Sequence, residues 1–179
     1  MSIVQIIRTR DCPEMPWKNG GGTTREIAVF PPGAGMDDFL WRLSMARVEH
    51  GGAFSTFLGI DRTLAVLEGT LHLEGDGVDI RLDPQSAPFP FDGGAQIYGE
   101  PAGGPVLDLN AMTRRGGCTV KMARRGPGTV MASSSASFLV LLEPQDLESS
   151  PMEALDCAVF TGKTVLEGNA IQIDFISEC

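Results

Sequence analysis

The sequence predicts an all-β protein, on three observations. Helical periodicity is almost absent, short β-branched or alternating segments recur from end to end, and glycine, proline and aspartate separate them at close intervals. The chain has 179 residues, of which 42% are hydrophobic, enough for a substantial core in one domain or in two closely fused halves without covalent staples. So many short strands imply a sandwich or a barrel.

Taken in order, a β-branched run predicts the first strand at residues 3–7, and Thr24, Ile27 and Val29 place the next at 24–30. Strict alternation marks 40–48, followed by apolar strands at 63–68 and 70–73. The turn Glu74-Gly75-Asp76-Gly77 joins the last of these to a strand at 78–82 as a hairpin. Further strands are expected at 105–110, 119–125, 138–142, 158–161 and 171–175. Pro31-Pro32-Gly33-Ala34-Gly35 and Pro101-Ala102-Gly103-Gly104-Pro105 read as loops, and residues 144–154 as room for one short helical turn.

The most distinctive stretch is Met15-Pro16-Trp17-Lys18-Asn19-Gly20-Gly21-Gly22-Thr23-Thr24-Arg25-Glu26, where hydrogen-bonding side chains flank three consecutive glycines. Without a Cβ, such a triplet lets something approach the backbone closely. It is not a phosphate loop, because Lys18 precedes the glycines and a strand, not a helix, follows them. No G-x-G-x-x-G spacing is completed either, so dinucleotide binding is a poor fit.

A formal net charge of −9 opposes nucleic acid and anionic membranes at long range. The basic group Arg114, Arg115, Lys121, Arg124 and Arg125 reads as a solvated strand edge. No apolar run has the length of a transmembrane helix, and the N-terminus lacks the order of a signal peptide, so a cytoplasmic protein is expected. Cys12, Cys118, Cys157 and Cys179 form no C-x-x-C pair and read as ordinary small residues, with Cys179 the most open to oxidation.

Alternation sorts the strand at 40–48 into two faces: Trp41, Leu43 and Met45 on one, Arg42, Ser44 and Ala46 on the other. Inside a small barrel an inward Arg42 is a buried cation that needs an anionic partner. Asp108, Asn110, Met112 and Arg114 likewise share a face, and Phe54 to Arg62 forms a compact turn that sets Ser55 near Arg62.

Three blocks together resemble the HutD/Ves family of small bacterial proteins. They are Met15 to Gly22 with Thr24-Arg25-Glu26-Ile27-Ala28, then Trp41-Arg42-Leu43-Ser44 through Gly52-Ala53-Phe54-Ser55 to Gly59-Ile60-Asp61-Arg62 and Leu67-Glu68-Gly69, and Asp108 to Met112 with Arg114-Arg115-Gly116. The resemblance implies a bicupin: two small antiparallel β-barrels of cupin jelly-roll type, packed together as one unit over 1–179. It further implies a cytoplasmic protein associated with histidine utilisation, or with a related stress-associated branch, that binds a small acid such as formylglutamate or urocanate and moderates pathway flux. The ligand-site positions it carries over are Lys18, Asn19, Arg42, Ser44, Arg62 and Asn110, with Trp17, Phe54, Phe57 and Met112 as an apolar wall. Either arginine can grip a carboxylate through its two-donor fork, while Ser44 and Asn110 fix orientation. The chain departs from the family pattern at Leu58, where proline is usual, and at Ala111, where a larger residue is common.

The rival reading is a cupin-type enzyme acting on a small organic acid. A metal-dependent form needs two or three histidines with a carboxylate, whereas this chain has only His50 and His72, on separate segments, so no metal or other cofactor is expected. A metal-free form would use one of Glu26, Asp61, Glu68 and Asp108 as general base, all four expected near the pocket. An exposed edge strand is able to support a homodimer.

Overall fold

The computed structural model describes residues 1–178; Cys179, the thiol expected to oxidise first, lies outside them. The described chain is built of antiparallel strands and a single turn of 3₁₀ helix at Thr9–Asp11. None of it is a helix long and apolar enough to cross a membrane. Contacts divide it into two compact units, one formed by Met1–Cys12 with the chain from Cys118 onward, the other by Pro13–Gly117.

The first unit holds β1 (Ile3–Ile7), and the second holds β2 (Glu14–Pro16), β3 (Gly22–Phe30), β4 (Trp41–Val48), β5 (Gly52–Ala53), β6 (Ile60–Glu68), β7 (Leu71–Gly75), β8 (Val78–Leu82), β9 (Phe89–Asp92), β10 (Tyr98–Pro101) and β11 (Val106–Arg114). The chain then returns to the first unit as β12 (Cys118–Arg125), β13 (Gly128–Met131), β14 (Ala136–Leu141), β15 (Gln145–Leu147), β16 (Ser150–Met152), β17 (Cys157–Phe160), β18 (Lys163–Leu166) and β19 (Ala170–Ser177).

In the Pro13–Gly117 unit a six-stranded sheet, ordered β2-β3-β4-β11-β6-β9, accompanies a four-stranded sheet ordered β5-β10-β7-β8. Alternating residues of both sheets supply one core, among them Val48, Leu64, Val66, Leu71, Leu73, Leu82, Ile97 and Val106. The expected hairpin is present: β7 meets β8 with Gly75 opposite Val78, and Asp76 and Gly77 both take positive φ (41° and 80°), as a two-residue I′ turn requires.

The first unit is a five-stranded sheet, β1-β17-β14-β19-β12, with the two-stranded pairs β13-β18 and β15-β16. Leu139, Leu141, Leu147, Ala158, Phe160 and Leu166 are buried in its core. Several polar side chains buried here satisfy one another, with Thr164 Oγ1 left without a partner. Gln172 Nε2 donates to Asp174 Oδ2 (2.9 Å) and to the Met131 carbonyl (2.7 Å), Arg125 Nε donates to Gln172 Oε1 (2.9 Å), and Ser137 donates to Asp174.

Two expectations are corrected. Residues 144–154 form no helical turn; Gln145, Leu147 and Met152 are buried at strand spacing, and β15 and β16 pair across Glu148 and Ser149, both at positive φ (49° and 68°). The basic group is not a solvated edge throughout. Arg114 donates to the Phe39 and Asp37 carbonyls, and Arg115 bonds Asp61 and Asp92.

The close approach that the glycine triplet permits is made by the protein's own chain at Gly22. A Cβ on Gly22 would lie 2.2 Å from the Arg47 carbonyl oxygen and 3.2 Å from the Trp17 ring. Gly22→Ala is therefore expected to destabilise the protein by about 1 to 3 kcal/mol, the usual cost of overpacking, read as a lower denaturation midpoint; an unchanged midpoint would show that the loop has room to shift.

Candidate functional site

The centre of the six-stranded sheet sets the site. β11 runs between β4 and β6, so Asn110 lies opposite Ser44 on one side and Leu64 on the other, while Met112 lies opposite both Arg42 and Arg62. Asp108 is opposite Ala46 and Val66. With a two-residue period, Asp108, Asn110 and Met112 face the same way as Arg42, Ser44 and Ala46. They line a cavity of about 570 Å³, a size suited to a small ligand.

All ten residues singled out in the sequence line this cavity: Lys18, Asn19, Arg42, Ser44, Arg62 and Asn110, with Trp17, Phe54, Phe57 and Met112. Lys18 and Asn19 come from the exposed loop after β2. Asn19 Oδ1 accepts from the Gly21 amide (2.8 Å) and shapes that loop, while Trp17 Nε1 donates to Thr24 Oγ1 (2.7 Å) and fixes the indole.

The two arginines differ. Arg42 has its anionic partner within the chain: its Nε donates to Glu26 Oε2 at 2.8 Å. Arg62 has none. Its guanidinium stands 5.1 Å from the Phe91 ring centre, 5.3 Å from Phe54 and 5.8 Å from Phe57, an arrangement in which three π faces hold a cation. Among the described residues its hydrogen bond from Nη1 to the Ser55 carbonyl is long at 3.4 Å, and its buried Nε has no partner. Burial pulls its pKa down to about 10, with Asp108 opposing that fall and Arg42 adding to it. Arg62 is thus a desolvated cation at neutral pH.

Asp108 is the counterpart. It is 2% exposed, its Oδ1 is buried without a partner, and burial pushes its pKa up to about 7 against the pull of Arg62. Among the described residues no ion pair joins the two. Asn110 Oδ1 is a second buried acceptor left unsatisfied.

Of the four carboxylates expected near the pocket, Asp108 lines it and Glu26 reaches it through Arg42. Asp61 does not, because as the neighbour of Arg62 on β6 it points the other way, to Arg115 at 2.6 Å. Glu68 is exposed at the end of β6. His72 bonds Asp79 (2.6 Å), and among the described residues no three His, Cys, Asp or Glu converge, so the side chains present do not fit a cupin metal centre. The alternation that selected Asn110 and Met112 also placed Asp108 on their face, and it is the residue the sequence reading left out of the ligand set.

The buried carboxyl gives a pH signature. Its folded pKa is raised above the unfolded value, so the folded state holds the extra proton and stability falls as pH rises from about 4 to about 7. Asp108→Asn removes that loss. The variant is expected to match the parent near pH 4 and to exceed it at pH 8 by up to about 4 kcal/mol, in thermal or urea melts; a variant no more stable at pH 8 than at pH 4, relative to the parent, would contradict the raised pKa.

Comparison with known proteins agrees with this architecture. An uncharacterized 21.2 kDa protein in the hutC 3′ region of Pseudomonas putida is 44% identical over 117 residues, covering 62% of this chain and 58% of that protein. Protein Ves of Citrobacter koseri is 39% identical over 115 residues, covering 63% and 59%. The chain thus matches a little under three fifths of the length of these relatives. Among solved structures, HutD from Pseudomonas fluorescens SBW25, in its formate condition, superposes with a TM-score of 0.87 at 27% identity, over 98% of this chain and 99% of that one. A cupin 2 conserved barrel domain protein from Leptotrichia buccalis, at a TM-score of 0.57 and 9% identity over 99% and 98% of the chains, shares the fold alone. The HutD family model matches residues 9–175, and the chain belongs to the HutD family, built on a cupin fold.

Proposed function

We propose that the Pro13–Gly117 unit binds a small mono- or dicarboxylate, gripped by Arg62 and oriented by Arg42, Ser44 and Asn110, with Lys18 and Asn19 at the loop end of the cavity. The single observation that supports this most is the unpaired Nε of a guanidinium that is 8% exposed. A buried cation without an anion is costly, and an incoming carboxylate offers two oxygens to the planar fork. The rings of Phe54, Phe57 and Phe91 exclude water from that contact and strengthen it.

The biological reading follows the family. A relative in the hutC 3′ region and a structural neighbour named HutD favour a role in histidine utilisation, in the cytoplasm, where the protein senses an acid such as formylglutamate or urocanate and moderates flux. Its action is binding, with no bond made or broken.

Isothermal titration with formylglutamate, urocanate, glutamate and histidine tests this. Saturable binding of formylglutamate or urocanate is expected, with Arg62→Ala weakening it by about 2 to 5 kcal/mol. Arg62→Lys should recover little of the loss, since a point charge does not replace the fork. Unchanged affinity in Arg62→Ala would remove Arg62 from the site, and conversion of any of the acids, followed by NMR, would make the protein an enzyme.

A further inference from the structure

We infer that the acid taken by this cavity also carries a hydrogen-bond donor, an amide or ring N–H, which the side-chain oxygens of Asp108 and Asn110 accept. This rests on the carboxylate reading of the same cavity and adds the second half of the ligand.

Three aspartates are buried among the described residues: Asp108, Asp156 and Asp174. Two have partners within their own chain, Asp174 on both oxygens and Asp156 on Oδ2. Asp174 receives Ser137, Gln172 and the Ser133 amide, and Asp156 receives Arg8 and the Glu153 amide. Asp108 receives nothing at Oδ1, and Asn110, two residues along on the same face of β11, receives nothing at its own Oδ1. Each buried acceptor left bare costs about 1 to 3 kcal/mol. Both line the cavity that holds the bare Nε of Arg62. A simple carboxylate has acceptors only; it satisfies Arg62 and leaves the two oxygens facing more of their own kind.

The strand register spaces the two halves. Arg62 is opposite Met112, four residues beyond Asp108, with Asn110 midway, and its long side chain brings the guanidinium within electrostatic reach of Asp108. The donor therefore belongs on a part of the ligand offset from the carboxylate that Arg62 holds.

The charged groups around Asp108 fix how binding responds to pH. Arg62 acts on it from β6, and Arg42, paired with Glu26, and Lys18 line the same cavity from β4 and the loop after β2, while its cross-strand neighbours Ala46 and Val66 carry no charge. With Asp108 titrating near neutrality, a ligand N–H favours the ionised carboxylate, so affinity rises with pH. An acid without the donor brings only negative charge towards Asp108, so its affinity falls over the same range.

The test is a single-atom exchange. N-formylglutamate is compared with its ester counterpart, in which oxygen replaces the amide nitrogen, by calorimetric titration of the full chain at pH 6 and pH 8. The N–H compound is expected to bind at least about tenfold more tightly at pH 8, and to tighten from pH 6 to pH 8 while the ester weakens. In Asp108→Asn, shown folded by its melting curve, both pH trends should vanish. Equal affinities, or pH trends of the same sign, overturn the donor requirement and leave the carboxylate reading standing. Binding of neither compound overturns the carboxylate reading and, with it, this inference.

Discussion

A guanidinium held away from water with no anion of its own is the constraint on which the Pro13–Gly117 unit is organised. Taking Arg62 out of solvent costs several kcal/mol, and a buried charge is retained only where its surroundings compensate. Here three aromatic faces and one long hydrogen bond from Nη1 supply part of the compensation, and the attraction to Asp108 acts without contact. The remainder is unfilled. Trp17 and the turn carrying Phe54 and Phe57 line the same cavity, while Gly22 closes the preceding loop against the Arg47 carbonyl.

The two units answer the same physical problem in opposite ways. Both bury polar side chains on strands of a central sheet. In the unit formed with β12 to β19, the chain completes every contact of Asp174 and Gln172 that the sheet leaves open, using Ser137, Arg125 and backbone groups. A satisfied network of this kind rigidifies a core. In the other unit the equivalent burial leaves Arg62 Nε, Asp108 Oδ1 and Asn110 Oδ1 bare around an open cavity. Among the described residues the first unit leaves Thr164 Oγ1 bare, so the unsatisfied charged side chains are concentrated in the second.

Much of this was legible in the sequence because it follows from a period of two. Alternation on β4 separated Arg42, Ser44 and Ala46 from Trp41, Leu43 and Met45, and on β11 it grouped Asp108, Asn110 and Met112, before any pairing was known. Pairing itself was not legible. Glu26 reaches Arg42 from a neighbouring strand across a bulge at Ile27, and no count along the sequence gives that contact. The same holds for Asp61, which adjoins Arg62 in sequence yet points to the opposite face and to Arg115. The hairpin of β15 and β16 was read as a helical turn because Glu148 and Ser149 replace the Asn-Gly or Asp-Gly that announces a two-residue turn. Strands such as β2, β5 and β13 are too short to show a period at all.

The separation of Arg62 from Asp108 carries the chemistry one step further. Had β6 been registered so that the two lay opposite each other, they would form an ion pair, and the cavity would hold a neutral, self-satisfied wall. The observed register puts Val66 beside Asp108 and Met112 beside Arg62, so both charges stay available. Glu26 meanwhile neutralises Arg42. Lys18 and Arg62 are then the cations without a bonded carboxylate around the cavity, and Asp108 is the one group whose charge changes near neutral pH. A pocket within an acidic chain of net charge −9 therefore presents a positive interior whose excess falls by one when Asp108 ionises. The pairing of β6 with β11 thus fixes which strand positions present the cation and which present the titrating carboxyl, and the proposed selectivity for an acid with a donor follows from that register.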